Sequence, residues 1–347
     1  MVVAVQVRFA PVHSFAELEG EWRALEAELP ALSFFQCWSW VGCLAEERYP
    51  DPVLLRAEAG GRLRGLALFN RRGGRLHLAE SGDAALDAPF IEHNAPLAHA
   101  EAVAPLLRAA WDAGARRLVL NGVPPALPPL AGGVALRWQQ RLAPRLDLHA
   151  VRASGGDWLA GRSGNARYQI RRSARAYAAG GPLALHRAAD TAEALDWLEA
   201  LIRLHEATWQ ARGKPGAFAT PFLRRFHPAL IRRAMPHGEL DMLRIEAGGK
   251  DVGYLYNFRI RAHVHAYQSG LDHAAAGVHE KPGLTCHAMA IDLALARGDA
   301  VYDFLAGADR YKRSLSDTEL PLVWAEMVPR WSLPGLAARL RNALRRD

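Results

Sequence analysis

Cysteine is nearly absent from the chain: Cys37, Cys43 and Cys286 are the only three among 347 residues. They are too few for a disulfide framework and no pair has metal-ligand spacing, so buried free thiols are expected for at least two of them. There is no HExxH, no CxxC and no helix with paired histidines suited to zinc, and no metal is expected. Long apolar runs are missing as well, because Arg, Glu or Gly interrupts each one well before the ~20 residues that a membrane helix needs. The opening residues, MVVAVQVRFAPVH, lack the basic start, apolar core and small-residue cleavage site of a secretory signal. A cytoplasmic protein without a membrane span is the expectation. No heptad is sustained, which argues against a coiled coil.

What the chain does contain is 50% hydrophobic and 23% charged residues, over a length that accommodates two domains with their own cores. Its 43 basic and 36 acidic residues give a net charge of +7. That field favours anionic small molecules or polyanions and does not choose between them.

Ser14 and Glu17 form a capping-box pattern ahead of Phe15, Leu18, Trp22 and Leu25, which share one helical face. A Trp-rich helix is expected over Phe34–Glu46, and strands over Pro52–Leu78, divided at Gly60-Gly61 and Gly73-Gly74. A helix over Ala100–Ala113, stopped by Gly114, and a strand over Arg117–Leu120 follow. The stretch Leu55–Gly65 can be laid on Leu243–Gly253 without a gap, with seven of eleven positions identical. In both halves the match is followed by more strand, a loop, a helix stopped by glycine (Gly114 and Gly298) and a short strand. A duplicated domain is the better reading.

The second half begins near Leu148. Trp158–Tyr177 reads as a basic helix, with Arg167, Arg171 and Arg175 on one face, suited to solvent or to an anion. Asp190 and Glu193 cap a helix whose apolar stripe is Leu195, Leu198, Ile202 and Trp209 and which ends at Gly213. Val252–Ile260 and Ala262–Leu271 read as a hairpin, Asp272–Gly283 as a loop, Leu284–Arg297 as a helix and Ala300–Leu305 as a strand. Simple alternation would put His263, His265, Tyr267 and Ser269 on one face. After Pro334 the tail reads as a basic amphipathic helix.

Tyr267-Gln268-Ser269-Gly270, Pro282-Gly283, Ala296-Arg297-Gly298, Tyr302-Asp303-Phe304-Leu305, Gly307 and Tyr311-Lys312 occur in this order at a spacing that resembles the GNAT acetyltransferases. Within these, the closest resemblance is to the BioF2-like branch of cellulose-biosynthesis operons, related to the Fem-type aminoacyl transferases. The segment ARGKPGAF and the pattern of Asn165, Arg171 and Arg172 fit the same branch. The resemblance implies an α/β fold of the α+β type: tandem GNAT-like domains, each a mixed, mostly antiparallel sheet flanked by helices. Its domains would be 1–147, degenerate, and 148–333, active, with a basic helix at 334–347.

The function so implied is transfer of an acyl group from acetyl-CoA or another acyl-CoA to an amine or hydroxyl acceptor, by direct attack in a ternary complex. The acceptor would be a small molecule, a peptide or a glycan. Lys281, Gly283, Leu284 and Thr285 at the helix start, with Lys312, would bind the donor, although the loop departs from the usual GNAT glycine spacing. An ordinary loop feeding a helix remains the alternative there. Tyr311 would protonate the leaving thiolate, while Asp303 or His265 would handle the acceptor's proton. Tyr267, Gln268, Asn165 and Arg171 would contact substrate. Cys286, at the start of a helix with no assigned base, is a poor nucleophile candidate. Two other readings are a Fem-like transferase that takes its donor from aminoacyl-tRNA, the one case in which nucleic acid would be a partner, and a non-catalytic scaffold that binds a peptide or glycan.

Overall fold

A Gly-Gly turn at the same place in the repeat sets the architecture of each half. Gly60 and Gly61 have φ of 59° and 74°, and Gly248 and Gly249 have 57° and 78°, the left-handed pair that a two-residue hairpin turn requires. They join Pro52–Ala59 to Arg62–Arg72 and Leu240–Ala247 to Lys250–Ile260. Both hairpins carry one extra residue at the same place in the repeat: Arg64 between the pairs Glu58↔Leu63 and Ala57↔Gly65, and Val252 between Asp251↔Glu246 and Gly253↔Ile245.

In this computed structural model, which describes residues 4–87, 91–307 and 309–343, the chain forms two compact units. One is made of the residues up to 141 with those from 321 onward, the other of residues 142–320. The strands of the first run Gln6–Ala10, Pro52–Ala59, Arg62–Arg72, Arg75–Leu78, Arg117–Val123 and Thr318–Val328 in spatial order. Those of the second run Leu183–Arg187, Leu240–Ala247, Lys250–Ile260, His263–Leu271, Val301–Asp303 and the end of Val134–Asp147. Each series has three antiparallel steps, then one parallel step, then one antiparallel step. The expected mixed, mostly antiparallel sheet flanked by helices is present in both.

Each unit takes its last strand from the other half of the chain. Val323–Met327 pairs with Leu118–Val123, and Arg145–Asp147 pairs with Val301–Asp303. A division at 147/148 therefore leaves out the exchange, and residues 321–333, read from sequence as part of the second domain, lie in the first unit. The tail helix spans Leu333–Ala343; residues 344–347 of the expected helix fall outside the described residues.

Local signals place most helices. Ser14, Asp190 and Thr220 accept from backbone N–H groups at the starts of Phe15–Glu28, Thr191–Ala211 and Pro221–Ala234. The basic helix begins at Gly164, six residues later than Trp158, because the Ser163 hydroxyl caps it. Trp158 is instead buried, and its indole N–H donates to Asp292. The helix Pro282–Arg297 buries Cys286, Ile291 and Ala294 in one cluster with Leu255, Val264 and Tyr302, and Gly298, at φ 84°, ends it. Cys37 and Cys286 are buried, and neither forms a disulfide among the described residues.

In the first unit the parallel step joins Arg75–His77 to Arg117–Val119, after which the pairing stops. Asn94, fully buried, closes the gap that follows. Its side-chain amide donates to Leu78 O at 3.0 Å and Asn121 O at 3.1 Å, and its backbone N–H donates to Gly122 O at 2.9 Å. Asn121 Nδ2 in turn donates to Glu80 Oε2 at 2.8 Å. The approach is so close that a Cβ on Gly122 would lie 2.1 Å from Ile91 O. Because Asn94→Ala strands two buried carbonyls, it is expected to lower the stability of the first unit by about 2–4 kcal/mol. Urea denaturation followed by a probe in that unit measures the loss, and an unchanged midpoint would refute the closing role.

Candidate functional site

The corresponding gap in the second unit is open. His263, Val264 and His265 pair with Val301, Tyr302 and Asp303, and there the ladder ends. Beyond it Phe304 N donates to Pro144 O at 2.9 Å and Gly307 N to Leu142 O at 3.2 Å, so this chain follows its other neighbour. The hairpin strand meanwhile continues to Leu271. Ala266, Tyr267, Gln268, Ser269 and Leu271 line a cleft of about 1080 Å³ on the side where the partner strand has left.

A bulge at Tyr267 reshapes this strand. Asn257 pairs with Ala266 and Tyr256 with Gln268, which leaves Tyr267 extra. Strict alternation fails here: Ser269 pairs with Leu255, on the face of the Cys286 and Ile291 cluster, whereas the Tyr267 ring meets Phe258 at 4.5 Å and Tyr256 at 5.6 Å on the opposite face. A Cβ on Gly270 would lie 2.3 Å from Leu201 O, so glycine is what lets the helix Thr191–Ala211 cross this strand. That helix brings His205 to the cleft wall. Its Nε2 accepts from Ala217 N at 3.0 Å, so its Nδ1 carries the proton and donates to Ser269 O at 3.0 Å. Thr208, Trp209 and Arg212 follow on the same face and line the cleft too. His205, Trp209 and Arg212 were not anticipated as site residues, although their i, i+4, i+7 spacing was visible; Trp209 had been assigned to an apolar core stripe.

Lys281, Pro282, Gly283 and Leu284 form the floor where the next helix begins. The helix start has no side-chain cap and no acid in its first turn. Proline has no N–H and Thr285 N donates to Lys281 O, which leaves the Gly283 and Leu284 N–H groups as donors at the positive end of the helix dipole. Thr285 itself is 1% exposed and does not line the cleft. Its hydroxyl shares a 2.8 Å hydrogen bond with Ser173, whose oxygen also takes Lys281 N–H at 2.8 Å. It anchors the helix start to Gly164–Ala178. Five cations, Arg212, Lys281, Arg310, Lys312 and Arg313, line the cleft against two carboxylates, Glu280 and Asp309.

Tyr311 and Lys312 line the cleft. The Tyr311 ring stacks on His287 at 5.5 Å, and burial raises its phenol well above the ordinary range, so it is a neutral O–H at physiological pH. The Lys312 ammonium lies 3.4 Å from Leu305 O and from Ala306 O, which ties the loop after the last strand. His287, also unanticipated, lines the cleft while its Nδ1 shares a 3.0 Å hydrogen bond with the Tyr302 hydroxyl.

Asp303 and His265 are fully buried and outside the cleft lining. Asp303 Oδ1 accepts from Leu305 N at 2.7 Å, Oδ2 is 3.7 Å from His263 Nε2, and the two histidine rings stack at 4.4 Å. This group sits at the point where the strands part. The Asp303 bond holds Leu305 at φ 60°, a left-handed geometry unusual for leucine. Asn165 lines the cleft, whereas Arg171 is exposed outside it. Arg167, placed from sequence on one face with Arg171 and Arg175, donates to Ala160 O and Arg162 O.

Residues 164–313 match the family model described as the acetyltransferase (GNAT) domain. The matched residues lie within the second unit. Solved structures that resemble this chain over nearly its whole length include the following. The C-terminal domain of a protein assigned as a lysylphosphatidylglycerol synthetase from Agrobacterium fabrum is 13% identical, with 95% of this chain and 96% of that one covered at a TM-score of 0.58. L-PGS from Bacillus licheniformis is 12% identical, with 94% and 96% covered at 0.56. FemX is 10% identical, with 96% and 99% covered at 0.59. At these identities the likeness is one of fold. No curated protein matches the sequence.

Beneath Tyr267, His227 is completely buried among the rings of Phe218 and Phe226, with neither ring nitrogen hydrogen-bonded among the described residues. Burial, with a smaller contribution from His205, lowers its pKa to about 3, and burial does the same to His287. Above pH ~6.5 such a ring is neutral in both the folded and the unfolded chain. As the pH falls from there toward 3, the unfolded chain takes up a proton that the fold refuses, and stability drops by up to ~1.4 kcal/mol per pH unit for each ring. His227→Phe is therefore expected to flatten the loss between pH 6.5 and 3 by about 1 kcal/mol per unit. Denaturation at neutral and acid pH tests this, and an unchanged acid slope would refute it.

Proposed function

We propose that the second unit is an acyltransferase that moves an acyl group from acyl-CoA to an amine or hydroxyl acceptor, a small molecule, peptide or glycan, and that the first unit is a degenerate copy. The observation that carries this reading is the parting of the two parallel strands beside a cationic cleft. Ala266–Leu271 presents a backbone edge to an extended donor arm, and the Gly283 and Leu284 N–H groups with Lys281 provide for its phosphates. The first unit's gap is filled by Asn94, which supports one donor per chain. The resemblance to the BioF2-like branch belongs to the same proposal.

In the reaction the acceptor's lone pair attacks the thioester carbonyl, the C–S bond breaks, and the thiolate leaves. Tyr311, kept neutral by burial, gives its proton to that sulfur, and the proton that the acceptor loses passes through solvent back to the Tyr311 oxygen, so that the products are the acylated acceptor and the free thiol. Asp303, His263 and His265 hold the strand fork in shape and touch neither partner. The match to FemX over nearly all of both chains favours one other reading, in which the acyl donor is an aminoacyl-tRNA.

Calorimetric titration with acetyl-CoA decides between them. Saturable binding at one site per chain is expected, weakened about tenfold by Lys281→Ala with Lys312→Ala and unaffected by Tyr311→Phe, which leaves the phosphate contacts intact. Absence of binding by folded protein would sink the acyl-CoA reading and direct the search to aminoacyl-tRNA.

A further inference from the structure

The stretch after Pro329, in the first unit, has an apolar face left exposed among the described residues. The helix Leu333–Ala343 packs inward through Gly335 and Ala338; a Cβ on Gly335 would lie 2.4 Å from Pro329 O, and Ala338 is 3% exposed. That orientation turns Leu333, Leu336 and Leu340 outward at i, i+3, i+7 spacing, 84%, 39% and 67% exposed. Trp331, 73% exposed, precedes them. The guanidinium groups of Arg330 and Arg339 lie 5.5 and 5.0 Å from the Trp331 ring. Arg341 adds a third charge. From Pro329 to Arg346 the sequence has no acidic residue, and it adds Arg345 and Arg346 beyond the described residues.

We propose that this face docks on an anionic lipid surface, with the helix lying in the plane of the interface. Three features select that occupant. Leucines on one side with arginines beside them form the pattern of an interfacial helix, whose apolar side enters the acyl boundary while its cations meet headgroup phosphates. An exposed tryptophan flanked by arginines suits the same boundary, where an amphipathic ring has one dry and one wet side. A second copy of this face would bring its arginines against their own kind, and an anionic surface neutralises them. No helix among the described residues is long and apolar enough to cross a membrane, so the contact is peripheral.

Cosedimentation of the full-length protein with phosphatidylcholine vesicles, with and without phosphatidylserine, tests the proposal. Binding to the anionic vesicles is expected to be tenfold or more stronger, roughly as a few arginines near a charged surface would give, and to weaken as salt is raised. Leu333→Glu with Leu340→Glu, at exposed positions, should abolish binding and leave the thermal melt unchanged. Joint replacement of Arg330, Arg339 and Arg341 by Gln should remove the preference for phosphatidylserine. Equal binding to both vesicles, or none, would overturn the proposal. So would a dimer in sedimentation that disappears in the Leu→Glu variant, since the face would then be covered by a second copy.

Discussion

A single parallel step in each sheet governs the rest of the structure. Parallel neighbours cannot be joined by a tight turn, so the chain must leave one strand, cross over as a helix and return in the same direction. In the second unit that crossover is Pro282–Arg297, lying between His263–Leu271 and Val301–Asp303 in the chain. Because the two strands pair over only three residues, the same decision produces an unpaired backbone edge, a helix start beside it and a returning loop that carries Tyr311 and Lys312 to the other wall. A slot, a helix start with free N–H groups and a neutral phenol are thus brought to one place by one feature of topology.

The first unit has the same step with the opposite outcome. Its strands also part after three pairs, but the intervening segment turns inward and Asn94 bonds to both. A buried carbonyl must be satisfied by something, and here a side chain of the chain itself fills the role that an extended ligand would have. The two halves show how little separates an open fork from a closed one.

The hairpins, their turns and the repeat were legible because a left-handed glycine pair and strand alternation are local properties. So were the helix caps, and the cleft positions of Lys281, Gly283, Tyr311 and Lys312 followed from the family resemblance. Thr285 misled because the residue opposite it, Ser173, lies more than a hundred positions away in sequence. Ser269 misled because a bulge adds a residue that alternation does not count. Asp303 and His265 were placed by strand register, but their burial depends on where the strands separate. The exchange of last strands left no local signature at all, since Thr318–Val328 reads as an ordinary strand whichever sheet receives it.

That exchange also sets the order in which the molecule can be completed during synthesis. Most of the first unit is translated first, yet the outer edge of Arg117–Val123 gains its partner only when Thr318–Val328 emerges, after nearly all of the second unit. Until then an apolar strand stands with an open ladder, the condition under which chains pair with the wrong neighbour. The half that is made first is the last to be finished.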